Sequence, residues 1–147
     1  MHRDPHLRRL SSDHHHALVL ARVARRGAES GEVVGTWRTT RQDFAAHIEP
    51  HMRIEEELLV PALKAAGRAD LAAQIVEDHG VLRGLVAIAE ASPVVMTRFA
   101  DELDRHVRYE ERDVFPVAQQ VVPMHELEAI DAASARPYAR ATDPPWR

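Results

Sequence analysis

An all-α fold, an antiparallel up-down-up-down four-helix bundle with a short C-terminal helical segment, is what this sequence predicts, and three observations predict it. Apolar residues recur at a 3-4 spacing over long stretches, as on one face of a helix. No stretch alternates with the period of two expected of a strand, and no Asn-Gly or Asp-Gly pair signals a hairpin. Glycine, proline and capping residues divide the chain into four long stretches joined by short links, the pattern of neighbouring antiparallel helices.

The elements follow in order. Ser11, Ser12 and Asp13 offer a cap for a first helix running to about Ala28, where GAESGE breaks it. A second begins after Gly35-Thr36 and carries Trp37, Phe44, Ile48, His51, Glu55, Leu58 and Ala62 along one stripe, with a kink or local interruption expected at Pro50 and Pro61 and an end at Gly67. Asp70 caps a third, with Ala72, Ile75, His79, Leu82, Val86 and Ala89 inward. Ser92-Pro93 opens a fourth, with Phe99, Leu103, His106, Glu110, Val114 and Val117 inward. Pro123 begins a short amphipathic segment, MHELEAIDAASA, and PYARATDPPWR reads as a loose tail. The expected organisation is a lead over 1–9, a bundle over 10–122, and the short helix with its tail over 123–147.

Composition narrows the function. The 147 residues suit one domain with a core of its own, and the net charge is only -4. The 19 Lys and Arg are scattered rather than gathered into a stripe, which argues against nucleic acid as the partner. There is no cysteine, so any metal must be held by nitrogen and oxygen. No run of apolar residues is long enough to span a membrane and no apolar leader is seen, so a soluble cytoplasmic protein is expected. Ten histidines are the one compositional oddity.

Two blocks hold the chemistry. HMRIEEELLVP, residues 51–61, and HVRYEERDVFP, residues 106–116, share the frame H-x-R-x-E-E-x4-P. Residues four apart share a helix face, so His51 projects with Glu55 and His106 with Glu110. Both pairs fall on core stripes, where an isolated carboxylate is strongly unfavourable. A single such pair has an ordinary explanation as a satisfied buried contact. Two pairs brought to similar depth, with His79 on the helix between them, are explained most simply by a divalent metal, which neutralises the carboxylates and accepts imidazole.

The first helix offers three consecutive histidines. Laying DHHHALVLARVA over DHGVLRGLVAIA matches His14 to His79 and pairs Ala17/Leu82, Leu20/Leu85, Ala21/Val86, Val23/Ile88 and Ala24/Ala89, all apolar. Matching His15 instead sets Arg22 and Arg25 against Val86 and Ala89, so His14 is chosen, with His15 and His16 beside the centre or in solvent. The ligand set is then His14, His51, Glu55, His79, His106 and Glu110, two imidazoles per metal with both glutamates bridging. Ferritin-like di-iron bundles use Glu-x-x-His, and no histidine here has a glutamate three residues before it.

The order H…HxxxE…H…HxxxE, with SSDHHHALVL, HMRIEEELLVP, EDHGVLR and HVRYEERDVFP, resembles the hemerythrin-like (HHE cation-binding) family over about residues 10–120. The resemblance implies a bundle holding a non-haem di-iron centre, two iron ions with an oxo or hydroxo bridge, and Glu55 and Glu110 bridging. It implies a small diatomic ligand such as dioxygen or nitric oxide, bound or sensed. A small oxidoreductase acting on peroxide or nitric oxide, or repairing iron centres, is the alternative. Oxygen carriers of the family have a further histidine one turn after the one matching His79. Arg83 stands there, which turns the expectation from carriage toward sensing or chemistry.

Surrounding residues receive simpler expectations. Arg83 reads as a surface arginine, with a place beside the metal ligands as the alternative, and Arg53 and Arg108 as outer partners of Glu56 and Glu111. His47 extends the ligand row only if Pro50 permits. Tyr109 reads as a boundary aromatic. Glu56, Glu111 and His15 are the groups in reach of open metal positions that could serve as acid or base, and 123–135 is the surface available to a protein partner.

Overall fold

The computed structural model describes residues 2–135, so the expected tail at 137–147 lies outside the described residues. Five helices pack antiparallel, and the described residues contain no strand. Helix α1 is Arg8–Ser30 and ends at Gly31, whose φ of 81° suits a residue without Cβ. It starts ahead of the expected cap. A 3-10 turn, Pro5–Leu7, leads into it, and the Asp4 carboxylate accepts from the His6 amide at 2.8 Å. Leu7 and Leu10 are fully buried, so the turn is drawn onto the bundle by its apolar side chains. Ser11 and Asp13 are thereby freed for other partners.

Helix α2 runs over 33–65 without a break. Its α-helical stretches Val33–Asp43, Glu49–Ile54 and Val60–Ala65 are joined by two π turns, Phe44–Ile48 and Glu55–Leu59. Helix α3 is Ala69–Val86. Helix α4 covers 93–121, as Pro93–Tyr109, a π turn Glu110–Val114, and Phe115–Val121. The Ser92 hydroxyl accepts from the Val95 amide at 3.3 Å, the cap expected there. Asp70 does not cap α3: it lies in the first turn and takes the Arg68 guanidinium at 2.9 and 3.0 Å. Helix α5 is Met124–Ser134.

The π turns are how this chain accommodates proline inside a helix. Each begins six residues before one, at Phe44, Glu55 and Glu110, ahead of Pro50, Pro61 and Pro116. Proline has no amide proton and its ring collides with the preceding turn. Widening that turn by one residue lets the Phe44, Glu55 and Glu110 carbonyls accept from Glu49, Val60 and Phe115 instead. At Pro50 and Pro61, where a kink or a local interruption was expected, the α-helix is thus interrupted by a π turn and then continues. The extra residue also advances the buried face by one position. Leu59 and Ala118 are fully buried, while Leu58 and Val117 are only partly so.

Helix α1 packs between α2 and α4, with α3 against the same two, and α5 lies across the start of α1 and the part of α2 that carries His51 and Glu55. The apolar face of α5, Leu127 and Ile130, joins the bundle core, and Met124, His125, Glu128 and Ala129 stay exposed. At the far end the Trp37 indole and the Arg41 guanidinium donate to the Ile88 and Val86 carbonyls, both at 2.7 Å. That satisfies backbone oxygens left over where α3 ends. It ends early: Leu85 rather than Val86 completes the inner stripe, and Ala89 is exposed.

The core is divided. One apolar cluster gathers around Leu10, Leu63, Ile75 and Phe115, and another around Leu20, Trp37, Leu82 and Phe99. Between them lies a buried polar layer of His14, His51, Glu55, Asp78, His79, His106 and Glu110. The apolar clusters drive folding, and the polar layer separates them. No described helix is long and apolar enough to cross a membrane.

Candidate metal centre

Each bundle helix contributes to the polar layer: His14 from α1, His51 and Glu55 from α2, His79 from α3, His106 and Glu110 from α4. Glu55, His79 and Glu110 have no exposed surface. The six side chains form two overlapping groups, His14, His51, Glu55, Glu110 and Glu55, His79, His106, Glu110. Within each, the donor atoms lie within 4.8 Å of one another, close enough to share one ion. The two carboxylates belong to both groups, so each is placed to bridge.

The imidazoles turn the same way. His14 Nε2 is 2.8 Å from Glu110, His51 Nε2 is 3.2 Å from Glu55, His79 Nε2 is 3.1 Å from Glu55, and His106 Nε2 is 3.5 Å from Glu110. On the opposite edge every ring meets another carboxylate. His14 Nδ1 is 2.7 Å from Glu111, His51 Nδ1 is 3.1 Å from Asp13, His79 Nδ1 is 2.6 Å from Glu56, and His106 Nδ1 is 2.8 Å from Asp78. An ionised carboxylate only accepts, so each Nδ1 carries the proton and each Nε2 is left as the metal-facing atom. The outer carboxylate also fixes the ring plane and enriches the ligand nitrogen.

Whether this donor set fits a metal can be tested on its own hydrogen bonds. His51 Nε2, His79 Nε2, His106 Nε2, both Glu55 oxygens and Glu110 Oε2 are buried without a hydrogen-bond partner. Several are near one another, but the contacts are not aligned as hydrogen bonds. Buried polar atoms are rarely left so, and here they converge on one place. A pair of cations shared between the two groups satisfies all of them at once, so the residues fit a dinuclear metal site.

The electrostatics agree. Burial alone would raise the Glu55 pKa, yet the charge of His51 and the close approach of the His51 and His79 rings hold it well below the usual range. Burial alone would keep His51 neutral, yet Glu55, Asp13 and Glu110 push its pKa well above the ordinary value. His14 and His79 are raised against the same burial, by Glu110 and Glu111 and by Glu55 and Glu56. The layer is a concentrated negative field drawing in protons, and a metal ion competes for the same seats.

Several expectations are corrected. Arg83 is no bystander on the surface: Nη1 and Nη2 reach the two Glu56 oxygens at 2.6 and 3.0 Å, and Nε lies 2.9 and 3.0 Å from those of Glu49. Glu56 and Glu111 are accordingly not paired with Arg53 and Arg108, which face Glu49 and Asp104. Nor do they face open metal positions, since they stand behind the imidazoles. His15 is exposed, His16 and His47 are half-buried, and none of the three belongs to either group. Tyr109 packs at the edge of a core cluster, and burial with the nearby Asp78 charge pushes its hydroxyl up to about 12.

Asp13, Glu56, Asp78 and Glu111 are the residues that sequence reasoning missed in this role. Their signal was present: an aspartate precedes both His14 and His79, and a second glutamate follows both Glu55 and Glu110. A residue adjacent to an inward one points about 100° away around the helix. That direction reaches the back of a ring on the neighbouring helix.

Four antiparallel helices with a doubled His/Glu layer at mid-depth define a metal-binding bundle. The hemerythrin HHE cation-binding domain model matches residues 5–118, and the chain belongs to that family. Comparison with curated proteins and with solved structures gave no match.

Proposed function

We propose that the chain holds two iron ions through His14, His51, Glu55, His79, His106 and Glu110, and that it binds or senses dioxygen or another small diatomic ligand there. The observation that carries this reading is the convergence of unpartnered donors into two groups sharing Glu55 and Glu110. Imidazole with carboxylate suits iron, and family membership supports cation binding in general. A bound iron pair supplies an electron reservoir and open coordination positions to a diatomic ligand. The protein's own residues do the rest. Asp13, Glu56, Asp78 and Glu111 hold the rings in register, and the apolar clusters on either side keep bulk water from the layer.

Sensing is favoured over substrate turnover by where the polar groups lie. Glu56 and Glu111 are occupied by Arg83 and His79 and by Ser11, Arg3 and His14, and His15 is exposed. The acid or base that an oxidoreductase would use is thus better sought among the ligands themselves. The deciding measurement is metal analysis of protein purified without chelators, followed by optical spectra in air and after reduction. About two irons per chain and a spectrum that responds to oxygen or nitric oxide are expected from the donor set. One firmly held zinc and no iron, after growth with ample iron, overturns it.

A further inference from the structure

The two half-sites differ in what holds their outer carboxylates. Glu56, behind His79, is gripped by Arg83, which stands one turn beyond His79 on α3. The guanidinium reaches both Glu56 oxygens at 2.6 and 3.0 Å while its Nε is anchored on Glu49. Glu49 and Glu56 both belong to α2, so α2 and α3 are locked in a closed loop of His79, Glu56 and Arg83. Glu56 cannot turn without breaking the fork.

Glu111, behind His14, is held more loosely. The Ser11 hydroxyl lies 2.7 and 2.6 Å from its two oxygens but has one proton to donate. Arg3 reaches it through one nitrogen, Nη2, 3.1 Å from Oε1 and 2.9 Å from the Glu111 carbonyl. The Arg3 Nε is buried without a partner. Arg3 belongs to the segment ahead of α1, which is tied down by Asp4 N to Gln119 at 3.1 Å, Gln119 to the His2 carbonyl at 2.9 Å, and the 3-10 turn. Its guanidinium also lies 5.2 Å over the Phe115 ring, which stacks on His14 at 5.3 Å. Lifting that segment therefore loosens two supports of His14 together, whereas freeing Arg83 in the last turn of α3 means breaking its contacts with both Glu49 and Glu56 on α2.

We propose that Arg83 and Arg3 are positioning residues that make the two metal positions inequivalent, the position formed by His79 and His106 holding its ion more firmly than the one formed by His14 and His51. This rests on the dinuclear reading above. The test uses the full chain loaded with two cobalt(II) ions and a chromogenic chelator that reports release. Wild-type protein should release its ions in two phases about tenfold or more apart in rate, the scale on which outer partners act. Arg83→Leu should speed the slow phase about tenfold and leave the fast one. Arg3→Leu should speed only the fast phase. Arg83→Lys should behave as Arg83→Leu, since an ammonium cannot grip both oxygens in a planar fork.

General loosening of the fold would speed both phases and lower the melting point of the metal-free protein, so selectivity for one phase is the decisive readout. Two ions leaving the wild-type chain in a single phase overturn the inequivalence and leave the dinuclear reading standing. Arg83→Leu acting equally on both phases overturns it as well. A chain that takes up no cobalt overturns the dinuclear reading and this inference together.

Discussion

Around His14 and His51 the outer carboxylates are Glu111 and Asp13, and around His79 and His106 they are Glu56 and Asp78. The two halves match residue for residue to that depth and then part. Where one half has Leu18, the other has Arg83, and where one has Phe115 stacked on its histidine, the other has Val60. The repeated frame thus specifies the donors and the groups that orient them. What surrounds those groups is supplied separately to each half, by an arginine inside α3 and by one ahead of α1. Symmetry in the motif therefore does not carry symmetry in the site.

The strongest way to break the comparison is to remove a residue that both halves use. Glu55→Ala or Glu110→Ala should reduce bound metal from about two ions to nearly none, because each carboxylate completes both groups and its loss leaves too few anionic donors for either ion. Elemental analysis of the purified variants decides it, and one ion retained at full occupancy would mean that the halves are independent.

Metal removal comes next. Without metal, most of the donors that face the centre are met only by misaligned contacts, and each poorly satisfied buried group costs about 1–3 kcal/mol. Imidazolium–carboxylate pairs such as His14 with Glu110 recover part of that cost, so loosening is expected rather than collapse. An ion present at about a hundred times its dissociation constant adds about 2.7 kcal/mol. For a domain this size, that corresponds to a melting point about 5–10 °C higher when loaded. Paired thermal melts at one pH test it, and equal midpoints would mean that the layer is satisfied by the protein alone.

Taking one half at a time is the third way. His14→Ala and His79→Ala should each leave about one ion per chain, since each ring belongs to a single group while the bridging carboxylates remain. If either variant loses both ions, the halves are cooperative and the release phases should merge.

Much of this was legible beforehand, for reasons specific to each element. The doubled frame singled out His51, Glu55, His106 and Glu110, helical spacing placed His79 inward, and the match between the two D-H stretches chose His14. The helix count and the cap at Ser92 were readable because local chemistry decides them. The π turns were not, since a proline in a helix is compatible with a kink, a break or a widened turn, and packing of the whole bundle selects among them. Arg3 was missed, and the partners of Arg83 were not foreseen, because those partners are remote in sequence. Arg3 lies 108 residues from Glu111 and Arg83 lies 27 from Glu56, separations that no local pattern reports.

The smallest expected effect tests the register of α1, on which the comparison of halves depends. Three histidines stand in a row, and only His14 is buried, at 4% exposure, with its ring between Glu110 and Glu111. Successive residues step about 100° around a helix, so His15 and His16 turn away from the layer. His16 is half-buried, and its ring meets that of His15 edge-on at 5.9 Å, away from the ligand groups. His16→Ala should therefore leave the metal content unchanged and alter stability by no more than about 0.5 kcal/mol, the usual range for substitutions outside a core or site. Metal analysis and a melt, run beside His14→Ala, decide the matter. Should His16→Ala strip the metal while His14→Ala retains it, α1 would be turned, Asp13 and Ser11 would lose their roles behind His51 and Glu111, and the equivalence of the two halves would fail at its first residue.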